Sequence, residues 1–214
     1  MTVRKSSSTP AAMRPTIRSP APELGPRANR AIDRLLEATR TVFLARGYAR
    51  TSIDEITRVA GVSRASFYTY FPTKRDALFA LGLASVEQSE AVDRLLEELP
   101  RPWNEVTVRQ WVDARWTFLD DHAAFSLAWT QASHEDEELR VQGMRRHLRA
   151  VRFIGEMFGG KGPQRSEHIG LVVFAMIERS WTFCEMYRDR VDHAAVRAEI
   201  TRAILGMIPP RGRD

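Results

Sequence analysis

The sequence predicts an all-α chain, and three observations carry that expectation. From Arg30 onward, apolar residues recur at steps of three and four, the period of a helix face. No stretch alternates as a half-buried strand does, and neither a hairpin signal nor an internal repeat is present. Pro100, Pro102, Gly159, Gly160, Gly162 and Pro163 interrupt the periodic segments where helices must stop and restart.

Residues 1–27 read as a flexible basic arm. Five of the eleven prolines lie within residues 1–26, interleaved with serines, a composition that cannot build a packed core. The basic start lacks the continuous apolar segment of a secretory signal. The next segment places Ile32, Leu35, Leu36, Thr39, Val42 and Phe43 on one helix face that ends at Gly47. Ser52-Ile53-Asp54-Glu55 is a capping box, in which hydroxyl and carboxylate each satisfy an orphan amide. Ile53, Ile56 and Ala60 form the stripe of that helix, and Gly61 suits the left-handed residue that closes it. Ser63 caps another helix at once, with Val62 and Phe67 spaced as a hydrophobic staple. Pro72 stops this helix, and Thr73 with Asp76 opens the next. Further helices are expected near 73–98, 104–120, 123–133, 136–158, 166–190 and 193–208.

The helix starting at Ser63 spans barely two turns, so it needs neighbours to hold it. Phe67 and Phe71, four apart, point inward together, leaving Arg64, Ala65, Tyr68 and Thr69 outward with Ser66 and Tyr70 beside them. Helix, tight glycine turn, helix is the arrangement that lays a second helix in a DNA major groove. Arg64 can donate two hydrogen bonds to guanine, Ser66 suits either base class, and Ala65 offers a methyl to thymine. Tyr68, Tyr70 and Lys74 suit phosphates, and Thr51 and Ser52 stand at another helix start that attracts anions. Charge agrees with this division. Residues 1–30 hold six Lys/Arg against Glu23 alone, 31–76 hold eight against five acidic residues, and 77–214 hold eighteen against twenty-one. A polyanion is therefore expected at the N-terminal part only.

"TSIDEITRVAGVSRASFYTYFPTKRDALFAL" resembles the DNA-binding signature of the TetR family of bacterial transcription regulators, over roughly residues 28–82. The resemblance implies an all-α chain with an N-terminal three-helix domain holding a helix-turn-helix, residues 28–76. A helical-bundle domain for ligand binding and dimerisation, residues 77–214, would follow it. By position, the family's DNA contacts fall on Thr51, Ser52, Arg64, Ala65, Ser66, Tyr68, Tyr70 and Lys74. The resemblance also implies that the last two helices, residues 166–208, join two copies, and that the bundle holds a small-molecule effector. The arm before residue 28 departs from shorter members of the family.

Beyond residue 85 only composition and periodicity speak. Four of the five tryptophans fall between residues 103 and 129. Trp111, Arg115 and Leu119 share a helix face with Trp116 at its side; Met144 and His147 lie on a later helix, Phe174, Ile177 and Trp181 on another. Together they are expected to line an aromatic cavity for a largely apolar ligand, although such stripes also serve as plain core. Ile169, Val172, Val173, Met176, Ser180, Phe183, Cys184 and Tyr187 spread over a broad apolar face, and Val196, Ile200, Ala203, Ile204 and Met207 follow on the last helix. These helices can supply half of a four-helix bundle between copies. Cys184 is the sole cysteine, so no internal disulfide is possible, and a reducing cytoplasm fits. No apolar run approaches the ~20 residues of a membrane span. The five histidines make no metal motif: His134 and Glu138 stand one helical turn apart but lack further ligands at a recognisable spacing, and "HEDEELR" at 134–140 reads as a solvated helix start.

The expectation is a homodimeric, cytoplasmic, ligand-responsive transcription regulator, most simply a repressor. It implies no catalytic residue, no metal and no cofactor. Its partners are duplex operator DNA, a second copy and an apolar small molecule, with no membrane. Two rivals stand beside it: a ligand-independent global or architectural DNA binder, and an enzyme using His147 or Glu178.

Overall fold

The computed structural model describes residues 25–208, so the expected basic arm lies almost wholly outside the described residues. Among them are nine helices and no strand. They are α1 (Pro26–Arg46), α2 (Ile53–Ala60), α3 (Arg64–Tyr70), α4 (Lys74–Glu98), α5 (Glu105–Asp121), α6 (Ala123–Glu135), α7 (Glu137–Met157), α8 (Pro163–Met186) and α9 (His193–Met207).

Helices α1 and α8 differ most from the sequence expectation in their bounds. Helix α1 starts at Pro26, because proline at the first helical position lacks only an amide that would be unpaired anyway. Helix α8 starts at Pro163 for the same reason and ends at Met186, with Tyr187 as its cap. The Gly162-Pro163 pair that reads as a break is thus a helix start.

The N-terminal unit is built on a small core of Leu35, Ala38, Val42, Ile56, Ala60, Phe67, Phe71 and Ala77. Both predicted capping boxes form, Ser52 with Glu55 and Thr73 with Asp76, and Gly61 takes the left-handed conformation at φ 64°. Helix α3 has only seven residues. Ordering their backbone costs about 1–2 kcal/mol each, whereas fully burying Phe67 and Phe71 returns about 1.5–3 kcal/mol each. The two phenylalanines therefore cannot hold α3 alone. The Ser63 cap, which accepts from the Ser66 amide at 3.1 Å, and the flanking helices supply the rest.

The C-terminal bundle has a larger core that runs through Leu96, Trp111, Val112, Leu119, Ile154, Phe158, Ile177, Trp181 and Ile204. Phe43, Leu78, Leu81, Ala128, Ala132 and Leu139 make a third core where α1 and α4 meet α6 and α7. This junction joins the two parts.

Helices α7 and α8 touch backbone to backbone. A Cβ added at Gly155 would fall on the Ser166 carbonyl oxygen, and one at Gly170 on that of Val151. Glycine is required at both places by this close approach. The sequence signals neither, since both residues sit inside helices where glycine costs about 1 kcal/mol.

Candidate nucleic-acid interface and bundle core

The outer face of α3 is exposed at Arg64, Ala65, Tyr68 and Thr69, and partly exposed at Ser66 and Tyr70. Arg64 is held. Its Nη1 donates to Asp54 Oδ1 at 2.6 Å and its Nη2 to the Tyr68 hydroxyl at 3.2 Å. Both members of the Arg64–Asp54 pair are more than half exposed, so solvent screens the pair and it adds little to stability. A guanine edge or a phosphate can displace it, while the tether keeps the guanidinium near the outward face. Tyr68 accepts from Arg64 and keeps its own O–H to donate. Ser52 is exposed at the start of α2, where its hydroxyl accepts from the Glu55 amide at 3.2 Å.

Two expected contacts, Thr51 and Lys74, are placed differently. Thr51 is buried, and its hydroxyl donates to the Gly47 carbonyl at 2.8 Å, closing the α1–α2 turn. Its side chain is not part of the exposed row. Lys74 is partly buried; its Nζ donates to the Tyr48 and Thr51 carbonyls at 2.7 and 2.9 Å and lies 4.3 Å from the Tyr48 ring centre. Burial holds its pKa below the usual lysine range. Lys74 is thus a strap between α4 and the α1–α2 turn, with two of its three donors used. Tyr70 leans on the small core with part of its ring.

The acidic stretch read as a solvated helix start also has a partner. Arg75 on α4 pairs with Asp136 and, at 2.6 Å, with Glu138. Gln131 on α6 accepts the Tyr48 amide through Oε1 at 2.7 Å. Sequence reasoning missed both contacts and the Asp54 tether. The first two join residues more than sixty positions apart, for which spacing gives no signal.

In the bundle, Trp111, Trp116, Leu119, Phe174, Ile177 and Trp181 are brought together in the core. Met144 is not; it is 52% exposed on the outside of α7. Trp181 Nε1 donates to Asp120 Oδ1 at 2.7 Å, whereas the buried Trp111 Nε1 has no partner among the described residues.

Arg115 carries its charge into this core at 2% exposure. It pairs with buried Asp93 and donates to the Ser89 hydroxyl at 2.9 Å. Its guanidinium lies 5.3 and 5.2 Å from the centres of the Phe118 and Phe174 rings. His147 stands edge-on to Phe174 at 4.6 Å. Burial, reinforced by Arg115, holds the His147 pKa below its usual value. Burial pushes the Glu178 carboxyl up to about 7, against the pull of Arg115 and Arg179. An ion pair and an imidazole thus meet against aromatic rings, and a partly buried carboxyl on α8 feels the Arg115 charge. Among the described residues no His/Cys/Asp/Glu group could hold a metal ion, and no helix is long and apolar enough to cross a membrane.

Comparison with known proteins agrees with this geometry. Residues 35–81 match the family model described as "Bacterial regulatory proteins, tetR family". The chain is 32% identical over 139 residues to the HTH-type transcriptional regulator CymR of Pseudomonas putida, covering 64% of this chain and 68% of that one. It is 25% identical over 107 residues to the HTH-type transcriptional regulator EthR of Mycolicibacterium smegmatis, spanning 50% of this chain and about half (49%) of that one. Its fold is similar to that of the TetR family regulator PfmR from Thermus thermophilus, with TM-score 0.61, 19% identity, and 85% and 100% of the two chains covered. It is also similar to FadR from Bacillus subtilis in complex with stearoyl-CoA, with TM-score 0.60, 17% identity, and 83% and 99% covered.

Proposed function

Because this chain belongs to the TetR family of bacterial regulatory proteins, we propose that it is a homodimeric repressor released from a near-palindromic operator by a small apolar effector. The observation that carries the DNA-reading half is the exposed α3 face, on which Asp54 and Tyr68 pre-orient Arg64. In a dimer, two such helices about one DNA turn apart, roughly 34–36 Å, enter successive major grooves. The apolar side chains exposed along α8, Leu171, Val172, Phe183, Met186 and Tyr187, support self-association there.

Arg64→Ala is the direct test. It is expected to cost about 1–3 kcal/mol at one operator position and to relax base preference there. Binding to a panel of single-position operator variants reads both effects. Unchanged affinity with unchanged preference overturns the assignment of α3. Lys74→Ala, in contrast, is a variant of the turn rather than of a single phosphate contact.

The effector half rests on the polar groups enclosed by aromatic rings. A ligand with an apolar body and one polar end would use Phe174, Ile177 and Trp181 for the body and Arg115, His147 or Glu178 for the end. To release DNA it must favour the DNA-incompetent arrangement, because equal affinity for both shifts nothing. Tryptophan fluorescence and operator release are expected to change together on titration. A broad screen that changes neither favours the ligand-independent reading.

Glu178 gives this core a pH signature. Its folded pKa of about 7 lies above the ordinary 4.5, so the folded chain holds a proton that the unfolded chain has released. The associated stability is fully present below the unfolded value and is lost as pH rises through about 7. At 1.36 kcal/mol per pKa unit the loss amounts to up to about 3 kcal/mol. His147, with its pKa held down, works the other way and loses stability as pH falls. Glu178→Gln is therefore expected to flatten the fall in melting temperature between pH 4.5 and about 7 and to leave the profile above that range unchanged. An unaltered pH profile would show that Glu178 is solvated.

A further inference from the structure

A shallow, open cleft of about 510 Å³ lies where the DNA-binding unit meets the bundle. Arg46 and Arg50 line it from the end of α1 and the turn that follows, Gln131, His134 and Glu135 from α6, and Arg179 from α8. Arg46 and Arg50 also line an adjoining hollow of about 410 Å³. Three guanidiniums against one carboxylate make the lining basic.

The hydrogen bonds leave donors available in it. Arg46 is paired with Glu55 at 2.8 Å. Arg50 spends only Nε, on the Arg46 carbonyl at 3.1 Å, and its terminal nitrogens have no carboxylate partner among the described residues. Arg179 likewise forms no ion pair there; its guanidinium lies 5.8 Å from the centre of the exposed Phe183 ring. Gln131 uses its oxygen on the Tyr48 amide, which leaves its NH₂ group to donate. His134 Nδ1 donates to the Thr130 carbonyl at 2.6 Å, so Nε2 of the neutral ring is an acceptor and adds no donor to the cleft.

We propose that this cleft is a binding site for an oxyanion, held between Arg50 of the DNA-binding unit and Arg179 of the bundle. Two guanidiniums, each with a pair of terminal N–H groups, match the several oxygens of a phosphate. The anion comes either from a phosphate-bearing small molecule or from the operator backbone. Either way it bridges the same joint that Gln131 and Tyr48 span, so occupancy fixes the two units relative to each other. Arg50 and Arg179 lie outside the aromatic core, and anion binding between them does not depend on an effector binding there, although Arg179 also acts on the Glu178 carboxyl.

The test uses the full chain and inorganic phosphate, with ionic strength held constant by chloride. Phosphate is expected to raise the melting temperature along a saturating curve, as a ligand specific to the folded state does. Arg50→Gln and Arg179→Gln should each weaken the apparent phosphate affinity about tenfold or more, the worth of a hydrogen bond to a charged group. Arg94→Gln, outside the cleft, should behave as the parent. Operator binding in phosphate-free buffer then identifies the source. Parent-like affinity in Arg179→Gln assigns the site to a free anion, and a loss with a shallower salt dependence assigns it to the DNA backbone. If the parent and both cleft variants give superimposable phosphate curves and equal operator affinity, the site does not exist.

Discussion

Val172→Asp combined with Leu171→Asp is expected to leave a folded monomer and to lower operator affinity by at least about a hundredfold. Both side chains are more than half exposed on α8, so the isolated chain loses little by the change. In the proposed dimer the new carboxylates would be taken out of water unpaired, at a cost of several kcal/mol. A monomer offers one recognition helix and forfeits the second half-site with its base and phosphate contacts. Sedimentation gives the mass, circular dichroism the fold, and a labelled operator the affinity. A monomer that still binds one site tightly would refute the dimer reading. Val173 next door is unsuitable for this test, because it is wholly buried in its own bundle and a charge there would unfold the chain.

Asp93→Ala should give the largest loss of stability of any polar substitution in the bundle. Arg115 would keep its buried charge and lose its counter-ion, which costs about 3–5 kcal/mol. Removing both charges, with Asp93→Leu and Arg115→Met, should recover most of that loss, because burying the pair costs about as much as its attraction returns. The raised pKa of Asp93, where burial outweighs the pull of Arg115, points the same way. Urea unfolding of the two single variants and the double variant measures the coupling. If Asp93→Ala costs under about 1 kcal/mol, the pair is hydrated. The double variant also tests function: folded but unresponsive to effector, it would mark the pair as part of the ligand site.

The helix-turn-helix was legible because its instructions are local. Ser52 and Glu55, Gly61, Ser63, and Thr73 and Asp76 each act within three or four residues, and all take the predicted positions. The tethers of the same unit were not legible. The partners of Lys74 are backbone carbonyls of Tyr48 and Thr51, 26 and 23 residues away, and carbonyls have no sequence signature. In the bundle the apolar face of α8 was visible, but not its division. Val173 and Cys184 turn inward while Val172, Phe183 and Tyr187 turn outward. Periodicity says which residues share a face; only packing decides what that face meets.

The backbone contact between α7 and α8 decides where this molecule can yield. Most helix pairs slide slightly because the side chains between them change rotamer, so small displacements are absorbed at each contact. At Gly155 and Gly170 no side chain intervenes, and carbonyl oxygens occupy the space that a slide would need. The pair therefore behaves as a single stiff beam. A strain applied to the bundle is therefore expected to be taken up by its remaining helices, α4, α5, α6 and α9. Of these, α6 reaches the reading head through Gln131, whereas Arg75 on α4 pairs with Asp136 and Glu138 and so ties α4 to the end of the beam. A lever needs a fixed post as much as a moving arm, and two glycines provide the post.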